Sequence, residues 1–340
     1  MTSLPFQFDI SLAQCNTLGL PARAGRFLDV TSIEQLSELE SWLKQEAAPL
    51  LVLGGGSNLV LADDLPGVVA HIAIRGWELM AEQDAEVVLK VGAGENWHQT
   101  VARTLESGYF GLENLALIPG TVGAAPIQNI GAYGVELKDR LRAVEVFDRQ
   151  DQSIRQLSNA ECRFGYRDSI FKSGEPGRYI ITAVELVLNK TPDLQLDYGG
   201  LREALSGIDA PGPLDVFDAV CRVRRSKLPD PAELGNAGSF FKNPLVHSAV
   251  YERIRADYPD LVAFPEADGR WKLAAGWLID RCGLKGARDG SVGTYPRQAL
   301  VLVNWGGARR ADVERFSSSI REAVLDRFGV ELEPEPRFYP

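Results

Sequence analysis

Several features that mark other classes of protein are scarce or missing in this 340-residue sequence. It has only three histidines, so we expect neither a His-based catalytic triad nor a His-rich metal site, and we predict no metal. The four cysteines are scattered and form no C-x-x-C pair, which favours reduced thiols over a disulfide framework. No apolar run approaches the ~20 residues that span a bilayer. The first ten residues lack the basic and apolar segments of a secretion signal. We therefore expect a cytoplasmic protein that is not attached to a membrane.

Positive charge is also in short supply, because 46 acidic side chains face 36 basic ones and the net charge is −10. Such a balance argues against general attraction to nucleic acid or to an anionic membrane. An anionic ligand would need a local group of cations, and the densest one is Arg222, Arg224, Arg225 and Lys227. Otherwise the composition is that of a globular protein, and the length predicts two or three domains.

Hydrophobic periodicity places helices and strands along the chain. Ser32 and Gln35 form a predicted capping box that starts one helix, which ends before Pro49. Further helices are predicted at residues 97–105, 246–258, 272–282 and 311–328, and strands at residues 50–53, 68–74, 87–91, 143–147, 179–188 and 300–304. These elements follow no regular βαβ alternation, so we predict an α+β fold.

A run of glycines follows the strand predicted at residues 50–53. This first glycine loop consists of Gly54, Gly55, Gly56, Ser57, Asn58 and Leu59. Glycine lets a ligand approach the main chain closely, and successive N–H groups can form an anion-binding nest. The loop lacks the Gly-Lys-Ser/Thr of a P-loop, and Leu59 fits the dinucleotide fingerprint poorly. Taken alone, it is equally consistent with a tight turn and with phosphate binding.

A second glycine loop, residues 118–134, combines small residues, few charges and amide side chains. A charged, exposed loop would have a different composition. Small residues permit a flat ligand to lie against the main chain, and amides can bond a diphosphate or the edge of a ring. Considered together, the two loops favour ligand binding over a purely structural crossing.

Motifs in a fixed order then identify a family. They are GGGSNL at 54–59, IPGTVGAAPIQNIGAYG at 118–134, FGYRDS at 164–169, SKLPD at 226–230, GNAGSFFKNP at 235–244 and LEPE at 332–335. In these motifs, and over nearly its whole length, the sequence resembles the UDP-N-acetylenolpyruvoylglucosamine reductase family, which makes UDP-N-acetylmuramate for bacterial peptidoglycan.

The resemblance implies a vanillyl-alcohol-oxidase-like (PCMH-type) FAD region in two parts and a C-terminal α+β substrate domain. The implied flavin subdomains are residues 1–70, joined by the tail at about 330–340, and residues 71–220, and the implied substrate domain is residues 221–329. Pro/Gly-rich stretches at 210–213 and 228–231 agree with a boundary near 215–230. Some relatives in the wider superfamily tether FAD to a histidine in the first loop. Asn58 and the absence of a histidine there predict non-covalent FAD.

The reaction that the resemblance implies has two steps. NADPH reduces FAD, and the reduced flavin passes a hydride from N5 to the enolpyruvyl double bond. The charge that develops beside the carboxylate must be stabilised, and the carbon must be protonated. The implied catalytic residues are Ser239 as proton donor, Arg167 as the stabilising cation, and Glu335 as a carboxylate that assists proton delivery.

Binding residues are implied in the same way. We expect cofactor contacts from the first glycine loop and from Ile118, Pro119, Gly120, Thr121, Gly123, Ala124, Asn129, Gly131, Ala132 and Tyr133. We expect substrate contacts from Tyr198, which resembles a tyrosine that closes over the substrate in one subclass, and from Lys227, Asn243, Lys285 and Gln298. NADPH and the UDP-sugar are expected to share one pocket, because a single N5 must meet both, and we expect a monomer.

The sequence departs from the family pattern at three positions. Pro336 follows Glu335 where relatives usually carry Val, and its fixed φ and missing N–H are expected to alter the tail. Phe264 lies where some relatives have Tyr, which would remove one hydroxyl contact. Gly200 replaces a common Pro beside Tyr198 and would loosen that loop.

Two other functions fit part of the sequence. One is a different FAD oxidoreductase of the same superfamily that uses oxygen as acceptor. The other is a nucleotide-sugar-binding module without turnover. The set of Ser239, Arg167 and Glu335 disfavours the binding module, since binding alone needs no proton donor. A flavin assay with NADPH and the nucleotide sugar separates the three.

Overall fold

A computed structural model describes residues 4–340 as two compact units that interleave along the chain. The first unit takes residues 4–10, 24–56 and 66–225, and the second takes residues 11–23, 57–65 and 226–340. The chain passes finally into the second unit after Arg225. The finer division into two flavin subdomains stays a prediction.

Strands and helices mix without regular alternation, which confirms the predicted α+β class. The strands are β1 Gln7–Ser11, β2 Arg23–Val30, β3 Leu50–Leu53, β4 Leu59–Leu61, β5 Asp64–Ile72, β6 Trp77–Glu82, β7 Glu86–Gly92, β8 Gly131–Ala132, β9 Val135–Glu136, β10 Leu141–Asp148, β11 Ser153–Ser158, β12 Tyr179–Asn189, β13 Gly235–Ser239, β14 Leu245–Val246, β15 Ala263–Pro265, β16 Trp271–Leu273, β17 Arg288–Asp289, β18 Val292–Tyr295, β19 Gln298–Asn304 and β20 Arg337–Tyr339. The helices are α1 Ile33–Glu46, α2 Trp97–Glu106, α3 Gly199–Ala204, α4 Pro213–Lys227, α5 Ser248–Asp257, α6 Ala275–Arg281 and α7 Arg310–Phe328. Short 3-10 or π turns lie at Glu113–Leu115, Val122–Gln128, Leu137–Asp139 and Ile170–Gly174.

The first unit is built mainly on two sheets. One has the order β1-β2-β5-β3, with β3 parallel to β5, and the other has the order β11-β10-β12-β7-β6, with antiparallel neighbours throughout. Both contribute aliphatic side chains to one core, against which α1 places Leu36, Leu39 and Leu43. The strand β3 ends at Leu53, so the first glycine loop begins where a buried strand stops.

The second unit has its own core and its own sheets. Their orders are β13-β19-β18-β17 and β14-β16-β15, and β20 pairs in parallel with β4. Phe240 and Phe241 are fully buried in this core, directly after β13. The sheet that carries β13 therefore fixes the chain on both sides of Ser239.

Most predicted elements are confirmed within a few residues. The Gln35 side chain accepts a hydrogen bond from the Ser32 N–H at 3.2 Å, as the capping box requires, and α7 ends on Gly329 at a φ of +64°. The helix predicted at 272–282 was wrong at its start, because Lys272 pairs with Leu245 and Phe264 in a small sheet. The helix α4 was not predicted, and it crosses the expected domain boundary.

Residues 4–340 contain neither a membrane-spanning helix nor a cluster of metal-binding side chains. No helix in that range is long and apolar enough to cross a membrane. Within the same residues, no group of three or more His, Cys, Asp or Glu side chains could hold a metal ion.

Candidate active site

The two glycine loops contact each other within the first unit. A Cβ on Gly54 would lie 2.7 Å from Thr121 Oγ1, and a Cβ on Gly55 would lie 2.7 Å from Gly120 Cα. Both distances are far below ordinary van der Waals contact. Glycine at 54 and 55 is thus required for one loop to lie against the other, a reason that the sequence did not reveal.

The second loop is also attached to the sheet below it. The N–H of Val122 donates to Glu95 O at 2.8 Å, and the N–H of Gly123 donates to Ala93 O at 2.9 Å. These two donors are committed inside the protein. A diphosphate held by the loops would therefore have to be bonded by other main-chain N–H groups.

His98 supports the entry into the second loop. Its Nδ1 accepts the N–H of Leu117 at 3.1 Å, and Leu117 has a left-handed φ of +58°. The imidazole stacks on Phe217 with ring centroids 5.4 Å apart. Burial, followed by the charges of Arg225 and Arg224, lowers the pKa of His98. The ring is therefore neutral near pH 7, with the lone pair of Nδ1 available for Leu117.

Arg167 lies in a tight turn beside the second loop. The N–H of Gly165 donates to Asp168 O at 3.0 Å, the N–H of Asp168 donates to Gly165 O at 3.3 Å, and Arg167 takes a φ of +55° between them. The Arg167 guanidinium donates to Gly131 O at 3.2 Å. An arginine held at positive φ is an uncommon backbone state that points to a constrained site.

Arg224 on α4 places a second cation in the same unit. Burial, only partly offset by Tyr133 and Cys221, lowers the pKa of Arg224, and the charge of Arg167 lowers it further. Its Nε is buried and has no hydrogen-bond partner among residues 4–340. Two guanidinium groups that repel each other, one with an unsatisfied buried donor, form a site suited to an anion.

Tyr133 and Tyr198 meet edge to face, with ring centroids 5.2 Å apart. Desolvation raises the pKa of the Tyr133 hydroxyl, whereas the Tyr198 side chain is 48% exposed. The buried Asn114 joins their segments, because its Nδ2 donates to Tyr133 O at 2.9 Å and to Gln195 O at 2.8 Å. Asn114 therefore ties the loop of Tyr198 to the second glycine loop.

Ser239 closes the strand β13 in the second unit. It stands opposite Val301 of β19, after an irregularity in the register, and Gly238 precedes it with a φ of +67°. The Gly238 N–H donates to Asn236 Oδ1 at 2.9 Å, and the Asn236 amide donates to Pro229 O and Leu234 O. The backbone that presents Ser239 is thus held from both sides.

Glu335 is fixed next to this strand end. Its N–H donates to the carbonyl of Phe240, the residue after Ser239, at 2.8 Å. Its own carbonyl accepts Asn58 Nδ2 at 3.2 Å, and the Asn58 carbonyl accepts the N–H of Arg337 at 3.0 Å. Pro336 has no N–H, and it lies between Glu335 and Arg337, the two residues of the tail whose N–H groups donate these bonds. The tail is therefore in register with β4, and Glu335 is almost fully buried.

The predicted substrate residues of the second unit lie on several elements. Asn243 Oδ1 accepts the N–H of Ala275 at the start of α6, at 3.0 Å. Gln298 opens β19 and Lys285 lies 3.5 Å from Asp280. Lys227 is the last residue of α4, and Phe264 in β15 is 47% exposed. Their contacts with substrate stay predictions.

The structure divides the predicted residues between the units. The first unit holds Gly54 to Gly56, the second glycine loop, Arg167 and Tyr198, and the second unit holds Ser57 to Leu59, Ser239, Glu335, Lys227, Asn243, Lys285 and Gln298. Sequence reasoning missed His98, Asn114 and Arg224 as parts of this site. Arg224 had a signal, since it belongs to the densest basic cluster, but Asn114 lies in no recognisable pattern.

Two known protein families match separate parts of the chain. Residues 25–158 match the FAD binding domain family, and residues 230–339 match the C-terminal domain of UDP-N-acetylenolpyruvoylglucosamine reductase. These matches confirm the expected FAD-binding fold, and the substrate-binding role of the C-terminal domain stays a prediction.

Full-length relatives extend the match. The UDP-N-acetylenolpyruvoylglucosamine reductase of Pseudomonas aeruginosa is 51% identical over 339 residues, covering 99% of this chain and 100% of the relative. That of Chromobacterium violaceum is 49% identical over 338 residues, covering 98% and 99%. The crystal structure of the Thermus caldophilus reductase covers 98% of this chain and 100% of its own, with 28% identity and a TM-score of 0.69. The chain therefore belongs to the UDP-N-acetylenolpyruvoylglucosamine reductase family.

Proposed function

We propose that this chain catalyses the NADPH-dependent, FAD-mediated reduction of UDP-N-acetylglucosamine enolpyruvate to UDP-N-acetylmuramate, a step of peptidoglycan precursor synthesis. The observation that carries the proposal is the bond between the Glu335 N–H and the Phe240 carbonyl. It sets a buried carboxylate beside the strand end that presents Ser239. A hydroxyl and an acid in adjacent, hydrogen-bonded segments are the parts that a protonation step requires.

FAD fits the first unit on chemical grounds. The glycine loops offer main chain without side-chain bulk, and the buried cation of Arg224 offers charge to an anionic group. When bound, FAD supplies the hydride that saturates the enolpyruvyl double bond. The Asn58 Nδ2 donates to Glu335 O. The expected contact of Asn58 with the cofactor would therefore use its main chain or the hydrogen-bonding groups of its side chain that this bond leaves unused.

The chain's own residues complete the reduction. Saturating the double bond requires a proton at the carbon beside the carboxylate, and we assign its delivery to the Ser239 hydroxyl. A serine hydroxyl is a weak acid, but a carbon base of this strength takes its proton. Arg167 would hold the substrate carboxylate while charge develops on it. Glu335 would orient the serine or hydrogen-bond the intermediate.

Substrate handling follows from the same assignment. Lys227 would contact the diphosphate, with Asn243, Lys285 and Gln298 as further contacts, and Tyr198 would close over the sugar nucleotide. NADPH and the UDP-sugar would take turns in one pocket, because both must reach a single flavin N5. We propose that the enzyme acts in the cytoplasm as a monomer.

Flavin absorbance tests the proposal. The purified protein is expected to be yellow, to be bleached anaerobically by NADPH, and to regain its colour when the enolpyruvyl nucleotide sugar is added. A colourless protein that does not take up FAD would contradict the assignment. Reoxidation by air without any response to the sugar would instead favour an oxidase.

A further inference from the structure

The turn that carries Arg167 is attached to the second glycine loop at alternate residues. Ser169 Oγ donates to Ile127 O at 2.6 Å, the Asn129 side chain donates to Gly165 O at 3.2 Å, and Arg167 itself donates to Gly131 O. The loop predicted to hold the cofactor is thus also the platform of the catalytic arginine.

Asn129 is the central member of this attachment. Its side chain is fully buried. Its Nδ2 donates to Glu136 Oε2 at 3.0 Å as well as to Gly165 O, and its Oδ1 accepts the Lys138 N–H at 3.0 Å. Two donors and one acceptor are therefore committed within the protein. An amide used in this way has no donor left for a flavin.

These hydrogen bonds hold in place a turn whose backbone conformation is strained. A non-glycine residue at a φ of +55° lies in the strained left-handed region. Such a conformation persists only where surrounding bonds over-determine it. Asn129 has a φ of +46°, a conformation that asparagine tolerates better than most residues. Two strained positions are therefore locked together by one buried amide.

We propose that Asn129 and Ser169 are positioning residues that hold the Arg167 guanidinium in place for substrate reduction, and that the side chain of Asn129 serves this purpose and not FAD binding. The inference rests on the proposed role of Arg167. The main-chain N–H of Asn129 is also committed, because it donates to Pro126 O at 3.3 Å.

The test separates the two half-reactions in the FAD-loaded enzyme. Asn129→Gly keeps the left-handed backbone and removes all three side-chain bonds, and Ser169→Ala removes the bond to Ile127 O together with the bond accepted from the Phe171 N–H. Both variants are expected to bind FAD and to be reduced by NADPH within about twofold of wild type. Reoxidation by the enolpyruvyl nucleotide sugar is expected to slow by up to about 100-fold, as displaced catalytic groups can do. Ser169→Thr is expected to restore most of the rate.

A double variant gives the decisive comparison. In an Arg167→Ala background, Asn129→Gly should cause little further loss, because no guanidinium remains to be positioned. Asn159→Ala is the matched control, since it removes two bonds to carbonyls in the same unit, at Lys138 and Leu141. It should destabilise the fold while leaving both half-reactions unchanged.

Three results would overturn the inference. They are loss of FAD from Asn129→Gly, an equal slowing of both half-reactions, and full additivity with Arg167→Ala. If wild-type enzyme reduced by NADPH is not reoxidised by the nucleotide sugar, the proposed function itself fails, and that outcome is visible before any variant is made.

Discussion

Gly54 and Gly55 are neighbours, yet the same second substitution should restore stability after Gly54→Ala and not after Gly55→Ala. A Cβ on Gly54 meets a side chain, Thr121 Oγ1, at 2.7 Å, and the next atom, Ala124 Cβ, is at 3.4 Å. A Cβ on Gly55 meets main chain, with Gly120 Cα at 2.7 Å and Gly120 C at 3.2 Å. Neither glycine has a positive φ, so the expected cost is steric and not torsional.

The magnitudes follow from these contacts. Each substitution overpacks the loop contact and should lower the free energy of unfolding by about 1–3 kcal/mol. Thr121→Ala removes the atom that obstructs Gly54→Ala, so the double variant should recover most of that loss, a coupling of about 1–2 kcal/mol. Thr121→Ala leaves Gly120 in place, so with Gly55→Ala the two effects should add within roughly 0.5 kcal/mol.

Urea unfolding of the purified variants measures these differences through the midpoint at a constant m-value. Gly25→Ala is the matched control, because a Cβ there meets nothing within 4 Å, and it should stay within about 0.5 kcal/mol of wild type. Equal rescue of Gly54→Ala and Gly55→Ala by Thr121→Ala would refute the reasoning. So would the absence of any cost in both single variants.

Three further predictions concern catalysis and pH. Ser239→Ala should leave bleaching of the flavin by NADPH nearly intact and abolish substrate reduction, and stopped-flow absorbance that showed both half-reactions lost would contradict the role of proton donor. Burial and two nearby arginines lower the pKa of His98, so its contribution to stability is present above the unfolded pKa of about 6.5 and lost as the pH falls below it. The urea midpoints measured at pH 7.5 and 5.5 should differ less in His98→Gln than in the wild type. An unchanged difference would show that this histidine does not cause the loss of stability at lower pH. The Arg178 side chain lowers the pKa of the fully buried Asp148 to about 2. The contribution of this pair to stability is therefore present above pH 3.8 and is lost as the pH falls towards 2. Asp148→Asn should lower the free energy of unfolding by about 3 kcal/mol at pH 7. It should also reduce the loss of stability on acidification, and an unchanged loss would contradict the role of this pair.

The sequence predicted the parts of this fold that local pattern determines. The helix α1 was found from its capping box and apolar spacing, and α7 from its spacing and its closing glycine. The helix α4 was missed because proline-rich stretches on both sides suggested a linker, although a proline in the first turn, here Pro213, is a common way to begin a helix. Lys272 was assigned to a helix because β16 has only three residues, too few to show the alternation of a strand, and it lies just before the helix α6. Its pairing with Leu245 and Phe264 is not visible in hydrophobic spacing.

The site shows the same division between local and distant causes. Glycines and family motifs mark where the main chain must be bare or where a charge is needed, and both can be read from the sequence. Neither shows that four residues of the first unit other than glycine have a positive φ: Leu117, Asn129, Tyr133 and Arg167. Each of them, or its immediate turn, is bonded by a buried or partly buried polar side chain, and those side chains belong to His98, Asn129, Asn114 and Ser169.

Only Asn129 among these four partners lies inside a glycine loop. The others come from α2, from the short turn at Glu113–Leu115 and from the residue that caps Ile170–Gly174. Strained residues of this kind cost roughly 1–2 kcal/mol each and survive only where other bonds outweigh them. Their concentration around one loop means that the remainder of the first unit stabilises that loop in a single conformation. The second glycine loop therefore depends, for its shape, on polar groups that include His98 and Asn114, which lie outside the family motifs.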